Sequence, residues 1–427
     1  MYIREAIIQD LKGLSGLRIS FAQGQEAGLH VLLGDNGAGK TTLIRALALA
    51  LVGPSEAMAL REDWTRWVRA GADEATIKLK LLRDRQYDTV SGQGRTGPSD
   101  EVSAHLTIRT VPPEPNGPAS TAPRRVELHG SPSSASRFAW GTGWGWFSSS
   151  FGPARRFTGG SSDYQRVFFS NPRVARHLSA FSEQVALSES LIWLVDKQRQ
   201  GHADLVGRVS DFINSSNLLP HDVTLDGVDD QTVWFCDGNG VRINATELSD
   251  GYRSILSLAL ELLRQMELTY GINALFDDAS ATVKVPGVVL IDELDAHLHP
   301  SWQATVGEWF TSRFPKVQFI IATHSPFICR SIGKTGKVFR LRAPGHEGEP
   351  LEEIAGEERD KLWYGSLHRA LESSGFGLAV GRSAYGRERV QELGALNRAA
   401  RERDLTGEER LRRARLRAVL SDEEIPT

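Results

Sequence analysis

Short runs of alternating apolar and polar residues open the chain. Residues 3–8 and 17–21 alternate as strands with one wet face do, and His30–Leu33 is an apolar run without alternation, as in a buried strand. A glycine-rich turn follows, then an apolar stretch from about Lys40 to Leu51 with helical spacing. Strand, glycine loop and helix in that order begin a nucleotide-binding α/β unit. Residues 75–84, 101–111 and 124–129 alternate again, which predicts antiparallel strands. Between them, 91–99 and 112–123 are rich in Gly, Pro, Ser and Thr and predict mobile loops. Residues 138–151, dense in Trp, Phe, Gly and Ser, predict a packed, turn-rich segment.

Helices are expected over about 172–216, with a break near 200. A strand pair at 222–226 and 231–236 leads to the turn Asp237-Gly238-Asn239-Gly240, and a helix runs from Ser254 to about Leu268. Then come a buried strand at 287–291, a helix from Ser301, a strand at 317–322 and an edge strand near 337–342. From 364 onward the pattern is helical and dense in Arg and Glu with a broken amphipathic register, as in a solvated appendage.

The chain of 427 residues is 40% hydrophobic and 24% charged, an ordinary globular balance. A formal net charge of -3 excludes a global basic field but leaves a local basic groove open. The two cysteines, Cys236 and Cys329, lie far apart and match no metal-ligand spacing, which suits plain thiols in a reducing compartment. The first residues lack the basic region and apolar run of a signal peptide, and no apolar stretch approaches the ~20 residues of a membrane span. The expected location is the cytoplasm, without a membrane partner.

Candidate chemistry sharpens this picture. Gly34-Asp35-Asn36-Gly37-Ala38-Gly39-Lys40-Thr41-Thr42 fits G-x-x-x-x-G-K-[ST] between a strand and a helix. Its backbone N–H groups, from Asn36, Gly37, Ala38, Gly39, Lys40, Thr41 and Thr42, and the helix N-terminus suit phosphates. Lys40 suits the β- and γ-phosphates of ATP, and Thr41 suits Mg²⁺. The apolar run Val288–Ile291 ends in Asp292-Glu293: Asp292 suits Mg²⁺, and Glu293 suits activation of a water. Standing alone, an Asp-Glu pair also reads as a helix cap.

Leu248-Ser249-Asp250-Gly251-Tyr252-Arg253 opens an apolar helix. Alone it reads as a capped helix start. With the other motifs it resembles the Leu-Ser-x-Gly signature of ABC ATPases, which offers Ser249 and Gly251 to the nucleotide of a partner copy. Ala322-Thr323-His324-Ser325-Pro326 resembles the switch-histidine segment of the same class, and the resemblance implies a γ-phosphate contact for His324. Leu294–Pro300 stands where such ATPases carry the loop that crosses the dimer interface, with His299 in the place of the usual Asp. His297 and His299, two apart with no third ligand, make a poor metal site.

The resemblance covers about 1–52 and 240–345. It implies an α/β ABC-ATPase head, with a mixed sheet around the phosphate loop and an antiparallel β lobe, plus a helical insertion and a C-terminal helical appendage. The expected division is 1–150 for the first part of the head, 151–220 for the helical insertion, 221–345 for the second part of the head and 346–427 for the appendage. The gap from Thr42 to Leu248 exceeds that of transporter ATPases and lacks the heptads of long coiled coils. It resembles the RecF-like and overcoming-lysogenisation-defect-like group.

Phe151-Gly152-Pro153-Ala154-Arg155-Arg156-Phe157, Leu-His-Pro-Ser-Trp-Gln at 298–303 and Ser373-Ser374-Gly375-Phe376-Gly377-Leu378 resemble Septu-type and retron-associated antiphage defence ATPases. That implies a head-to-tail homodimer or higher even assembly that senses infection and controls a partner HNH nuclease. Two other readings stay open: a RecF-like repair ATPase that binds DNA directly, and a scaffold that holds ATP with little turnover. A non-coding RNA is a further candidate partner. Arg155 and Arg156 are candidates for phosphate, partner or DNA contacts, or are two solvated arginines.

Overall fold

The computed structural model describes residues 1–419 except 61, 89–99, 112–124, 142–144, 162–170, 216–217, 278–279, 334, 347, 366, 374 and 377–383. The loops expected at 91–99 and 112–123 lie outside the described residues, as do Ser374, Gly377 and Leu378 of the tail pattern. The first half of the chain supplies β1 (Tyr2–Leu11), β2 (Leu14–Ser20), β3 (Gly28–Leu33), β4 (Glu74–Leu82), β5 (Glu101–Val111), β6 (Arg125–Ser131) and β7 (Ser148–Phe151). The second half supplies β8 (Thr224–Val228), β9 (Val233–Cys236), β10 (Arg242–Asn244), β11 (Gly287–Ile291), β12 (Val317–Ala322), β13 (Val338–Leu341) and β14 (Leu351–Ile354).

The unbroken apolar runs pair in parallel, because both of their faces are covered. They form the sheet β14-β13-β3-β12-β11-β7, in which β14 alone runs antiparallel to its neighbour. Alternate residues face opposite ways. Leu29, Val31, Val289, Ile291, Phe319 and Ile321 join a core with Leu256 and Leu260 of the helix Asp250–Tyr270 and Phe310 of the helix Pro300–Arg313. Leu32, Val288, Leu290 and Ile320 join a second core with Leu43 and Leu47 of the helix Lys40–Val52. That second core also takes Ile3, Ile8, Ile77 and Leu106, the inward residues of the antiparallel sheet β2-β1-β4-β5-β6. The fold is therefore an α/β head with a mixed central sheet and an antiparallel lobe.

Three elements differ from the sequence pattern. The segment 138–151 ends in β7, a strand of the central sheet paired with β11. The strand expected at the edge near 337–342 is internal: β13 lies between β3 and β14. The helical region from 172 is broken at 176–177, at 182–188 and at 200–202, where Gly201 takes a left-handed φ of 80°.

Residues Met1–Phe376 form one compact unit and Gly377–Thr427 another. The appendage expected from 346 starts later, because β14 belongs to the central sheet and Leu362 of the helix Gly356–Tyr364 is buried in the head's core. Within the second unit, Glu392 of the helix Ala384–Glu402 pairs with Arg412 of the helix Gly407–Val419 at 2.8 Å, and Leu393 and Leu416 are buried. No single helix among the described residues is long and apolar enough to cross a membrane.

Candidate functional site

Four neighbouring parallel strands, β3, β12, β11 and β7, end at one edge of the sheet. That edge, beyond the carboxyl ends of the strands, is where open α/β sheets hold ligands. β3 leads into the glycine turn and Lys40, β12 into Thr323 and His324, β11 into Asp292 and Glu293, and β7 into Gly152–Arg155. The structure thus brings together residues far apart in sequence.

The glycine turn is built for close backbone approach. Gly34, Gly37 and Gly39 have φ of 155°, 81° and 102°. A Cβ on Gly34 would meet the Leu341 carbonyl oxygen at 2.5 Å. Asp35, Asn36 and Gly37 form an exposed tip, Ala38 is buried, and Gly39 leads into the helix whose first residues are Lys40, Thr41 and Thr42. Lys40 Nζ donates to the carbonyls of Gly34 and Asp35 at 2.7 and 3.1 Å. Burial pushes its ammonium down from the ordinary value, and the charges of Asp292, Glu293, Asp35 and Asp295 oppose that shift.

Asp292 is 4% exposed, and burial raises its carboxyl above the usual range. A hydrogen bond with the Thr41 side chain and the charges of Arg45, Lys40 and Arg155 pull the other way. Its Oδ1 is buried without a hydrogen-bond partner. A buried carboxylate oxygen left over beside a threonine hydroxyl is a donor set that suits a hard divalent cation. Together with a cradle too tight for a Cβ at Gly34, these residues fit Mg²⁺ and a phosphate chain. Glu293 is half-buried and takes φ 51°, the left-handed region.

His324 is exposed, but the residues around it are fixed. The Thr323 hydroxyl donates to Asp295 Oδ1 and accepts the Ser325 N–H at 2.9 Å. Ser325 Oγ donates to Gln303 Oε1 at 2.6 Å, and Gln303 Nε2 donates to the Leu298 carbonyl at 2.8 Å. Asp295, Gln303 and Ser325 thus lock the histidine segment to the loop after the acidic pair. Their types carry no signal by themselves, although the hydroxyls flanking His324 hint at such a lock. His299 is exposed, and its Nδ1 accepts the Ser301 N–H at 3.3 Å, capping the helix Pro300–Arg313. Among the described residues no group of three or more His, Cys, Asp or Glu forms a metal cluster.

Ser249 is exposed and starts the helix Asp250–Tyr270 without using its side chain as a cap. Gly251 lies against the His297 carbonyl and the Trp302 ring. The solvated reading of Arg155 is overturned: it is 4% exposed, and its guanidinium lies on the Asp292 and Glu293 carbonyls at 3.0 and 2.9 Å. Arg156 instead donates to the Gly159 and Glu183 carbonyls. Phe21 is core, packed on His30 and Phe339.

Residues 160–330 match the family described as "AAA domain, putative AbiEii toxin, Type IV TA system", and residues 7–97 match an "AAA domain" family. The Septu protein PtuA of Bacillus mycoides (strain KBAB4) is 26% identical over 334 residues, which are 78% of this chain and 39% of that protein. The Retron Ec83 probable ATPase of Escherichia coli is 38% identical over 96 residues, 22% of this chain and 17% of that protein. The chain therefore spans well under half the length of these relatives. A crystal structure of an SmcHead bound to the C-winged helix domain of ScpA matches with TM-score 0.50 at 14% identity, over 84% of this chain and 99% of that one. The chain thus has the fold of an SMC head and is similar in sequence to a Septu protein PtuA and, over a shorter stretch, to a retron probable ATPase.

Proposed function

We propose that the chain binds ATP with Mg²⁺ and hydrolyses it at a site completed by a second copy arranged head to tail. The observation that carries this reading is Asp292 Oδ1, buried and unpartnered on the carboxylate bonded by Thr41, beside Lys40 and the glycine cradle. Lys40 would exchange its two carbonyl partners for phosphate oxygens, and the N–H groups of Asn36–Thr42 would add their dipoles. Thr41 and Asp292 would hold Mg²⁺, which when bound neutralises charge on the phosphate chain. Glu293 would orient a water and accept its proton, and His324 would contact the γ-phosphate. Ser249, whose hydroxyl is not spent on a cap, and Gly251 would meet the nucleotide held by Lys40 of the other copy.

At the level of the cell, we propose a cytoplasmic ATPase subunit of an antiphage defence complex that senses infection and controls a partner HNH nuclease. The likeness to Septu PtuA and the retron ATPase supports this. The site is tested by mixing two inactive variants. Lys40→Ala and Ser249→Arg copies together contain one intact composite site, so turnover should return on mixing; silence would sink head-to-tail sharing. The partner is tested by purification from the native host. A complex without a nuclease, whose ATP-stimulated DNA binding weakens steeply with salt, would favour the RecF-like reading instead.

A further inference from the structure

Arg155 is buried, and all five of its N–H donors are used on neutral acceptors. Nε donates to Ser254 Oγ at 3.2 Å. Nη1 donates to the carbonyls of Gly152 and Asp292 at 2.9 and 3.0 Å. Nη2 donates to the carbonyls of Glu293 and Leu294 at 2.9 and 3.4 Å. Among the described residues no carboxylate pairs with it; Asp295, Asp292 and Glu293 offset its charge from further away. Burying a guanidinium on neutral groups is costly, so the arrangement calls for a reason.

The acceptors supply that reason. Three successive carbonyls, 292 to 294, converge on one guanidinium. The residue in the middle is Glu293, at φ 51°. An L residue holds that conformation only where its surroundings impose it. The fifth acceptor, Ser254, belongs to a different element: it lies just over one turn along the helix Asp250–Tyr270, which Ser249 precedes.

We infer that Arg155 is a positioning residue that couples the two nucleotide sites, by tying the helix behind the signature turn to the backbone that carries Glu293 in the same copy. The inference rests on the composite-site reading above. In that arrangement Ser249 and Gly251 serve the other copy's nucleotide, whereas Glu293 serves its own. Fixing the signature helix on one side therefore fixes the acidic turn on the other through Arg155.

Two variants test this. Ser254→Ala cuts the tether at its far end and leaves the acidic turn's own contacts whole. Arg155→Lys keeps the charge but has three donors for five acceptors. Hydrogen exchange at the amides of Leu294 and Ala296 reads the turn directly, with no need for turnover. ATP should slow exchange there in the wild type and fail to do so in Ser254→Ala, and Arg155→Lys should exchange about tenfold faster even without nucleotide. In both variants kcat should fall about tenfold with KM unchanged, the sign of a misplaced group rather than lost binding. ATP protection equal to wild type in Ser254→Ala, or a raised KM with intact kcat, would overturn the coupling. A wild type that binds ATP without turning it over would remove the hydrolysis reading alone, and the exchange measurement would still decide the tether.

Discussion

A Cβ on Gly251 would stand 3.0 Å from the His297 carbonyl oxygen and 3.4 Å from the Trp302 ring. The signature turn and the loop after the acidic pair therefore touch within one copy, and Tyr252 packs on Trp302 with ring centroids 5.2 Å apart. His297 is itself at φ 67°, so the carbonyl it presents has little freedom to retreat. Gly251→Ala acts on this seam and leaves the cradle alone. ATP binding to a single copy should be unchanged, while ATP-driven dimerisation and turnover should fall about tenfold. Sedimentation with and without ATP checks this, and a variant that dimerises like wild type would show that the space at Gly251 is not needed.

Glu293 separates shape from chemistry. Its left-handed backbone costs about 1–2 kcal/mol for an L residue and nothing comparable for glycine. Glu293→Gln keeps the shape and loses the base, so ATP should bind, the closed dimer should accumulate and turnover should fall by about a hundredfold or more. Glu293→Gly should be equally inactive yet melt no lower than wild type. Gel filtration with ATP and thermal melts read the two effects apart. Wild-type turnover in Glu293→Gln would remove Glu293 as the base.

Lys40 and Asp292 should fail in different ways. Lys40→Ala removes a charge-assisted contact worth about 1.5–3 kcal/mol, so ATP affinity should drop roughly 10- to 150-fold by titration calorimetry. Asp292→Asn keeps Lys40 and the cradle but loses the carboxylate whose Oδ1 has no other partner. It should still bind ATP, while the extra rise in melting temperature that Mg²⁺ gives with ATP disappears. An Mg²⁺ effect that survives in Asp292→Asn would place the cation elsewhere.

What the sequence made legible depended on how local each signal was. The cradle, the acidic pair and the signature turn each occupy a short run at an element boundary, so pattern alone places them. β7 escapes because Ser148, Ser149 and Ser150 are polar although buried. The Ser148 and Ser150 hydroxyls each lie 3.0 Å from a ring nitrogen of His177, a partner too distant in sequence for any local pattern. β14 escapes because Glu352 and Glu353 are exposed and Ile354 alone of its four residues is buried, so the run shows no apolar pattern; the two glutamates pair with Arg342 and Lys337 at 2.6 and 2.8 Å. Arg155 and Arg156 are indistinguishable in sequence; only the turn beneath the first separates their roles.

A source of acid sensitivity lies just before the cradle. His30 of β3 is fully buried, with Nε2 2.9 Å from the Glu26 carbonyl and Nδ1 accepting the Lys337 N–H at 3.3 Å. Those partners require a neutral ring with its proton on Nε2. Burial pushes the imidazole down to about 4 from its ordinary 6.5; the Glu26 carbonyl opposes this, and the Lys337 charge adds to it. The sign follows directly. Between pH 6.5 and about 4 the unfolded chain takes up a proton that the folded chain refuses, so stability is full above this window and is lost as pH falls through it. The loss attributable to His30 is about 3 kcal/mol at the bottom of the window. His177, buried and held well below its ordinary value, acts in the same direction. Urea unfolding at a series of pH values should show the fall. His30→Gln starts less stable at neutral pH, because an amide cannot reproduce both bonds, but its slope should be shallower by up to about 1.4 kcal/mol per pH unit. An unchanged slope would mean that His30 titrates in the folded chain as it does in the unfolded one.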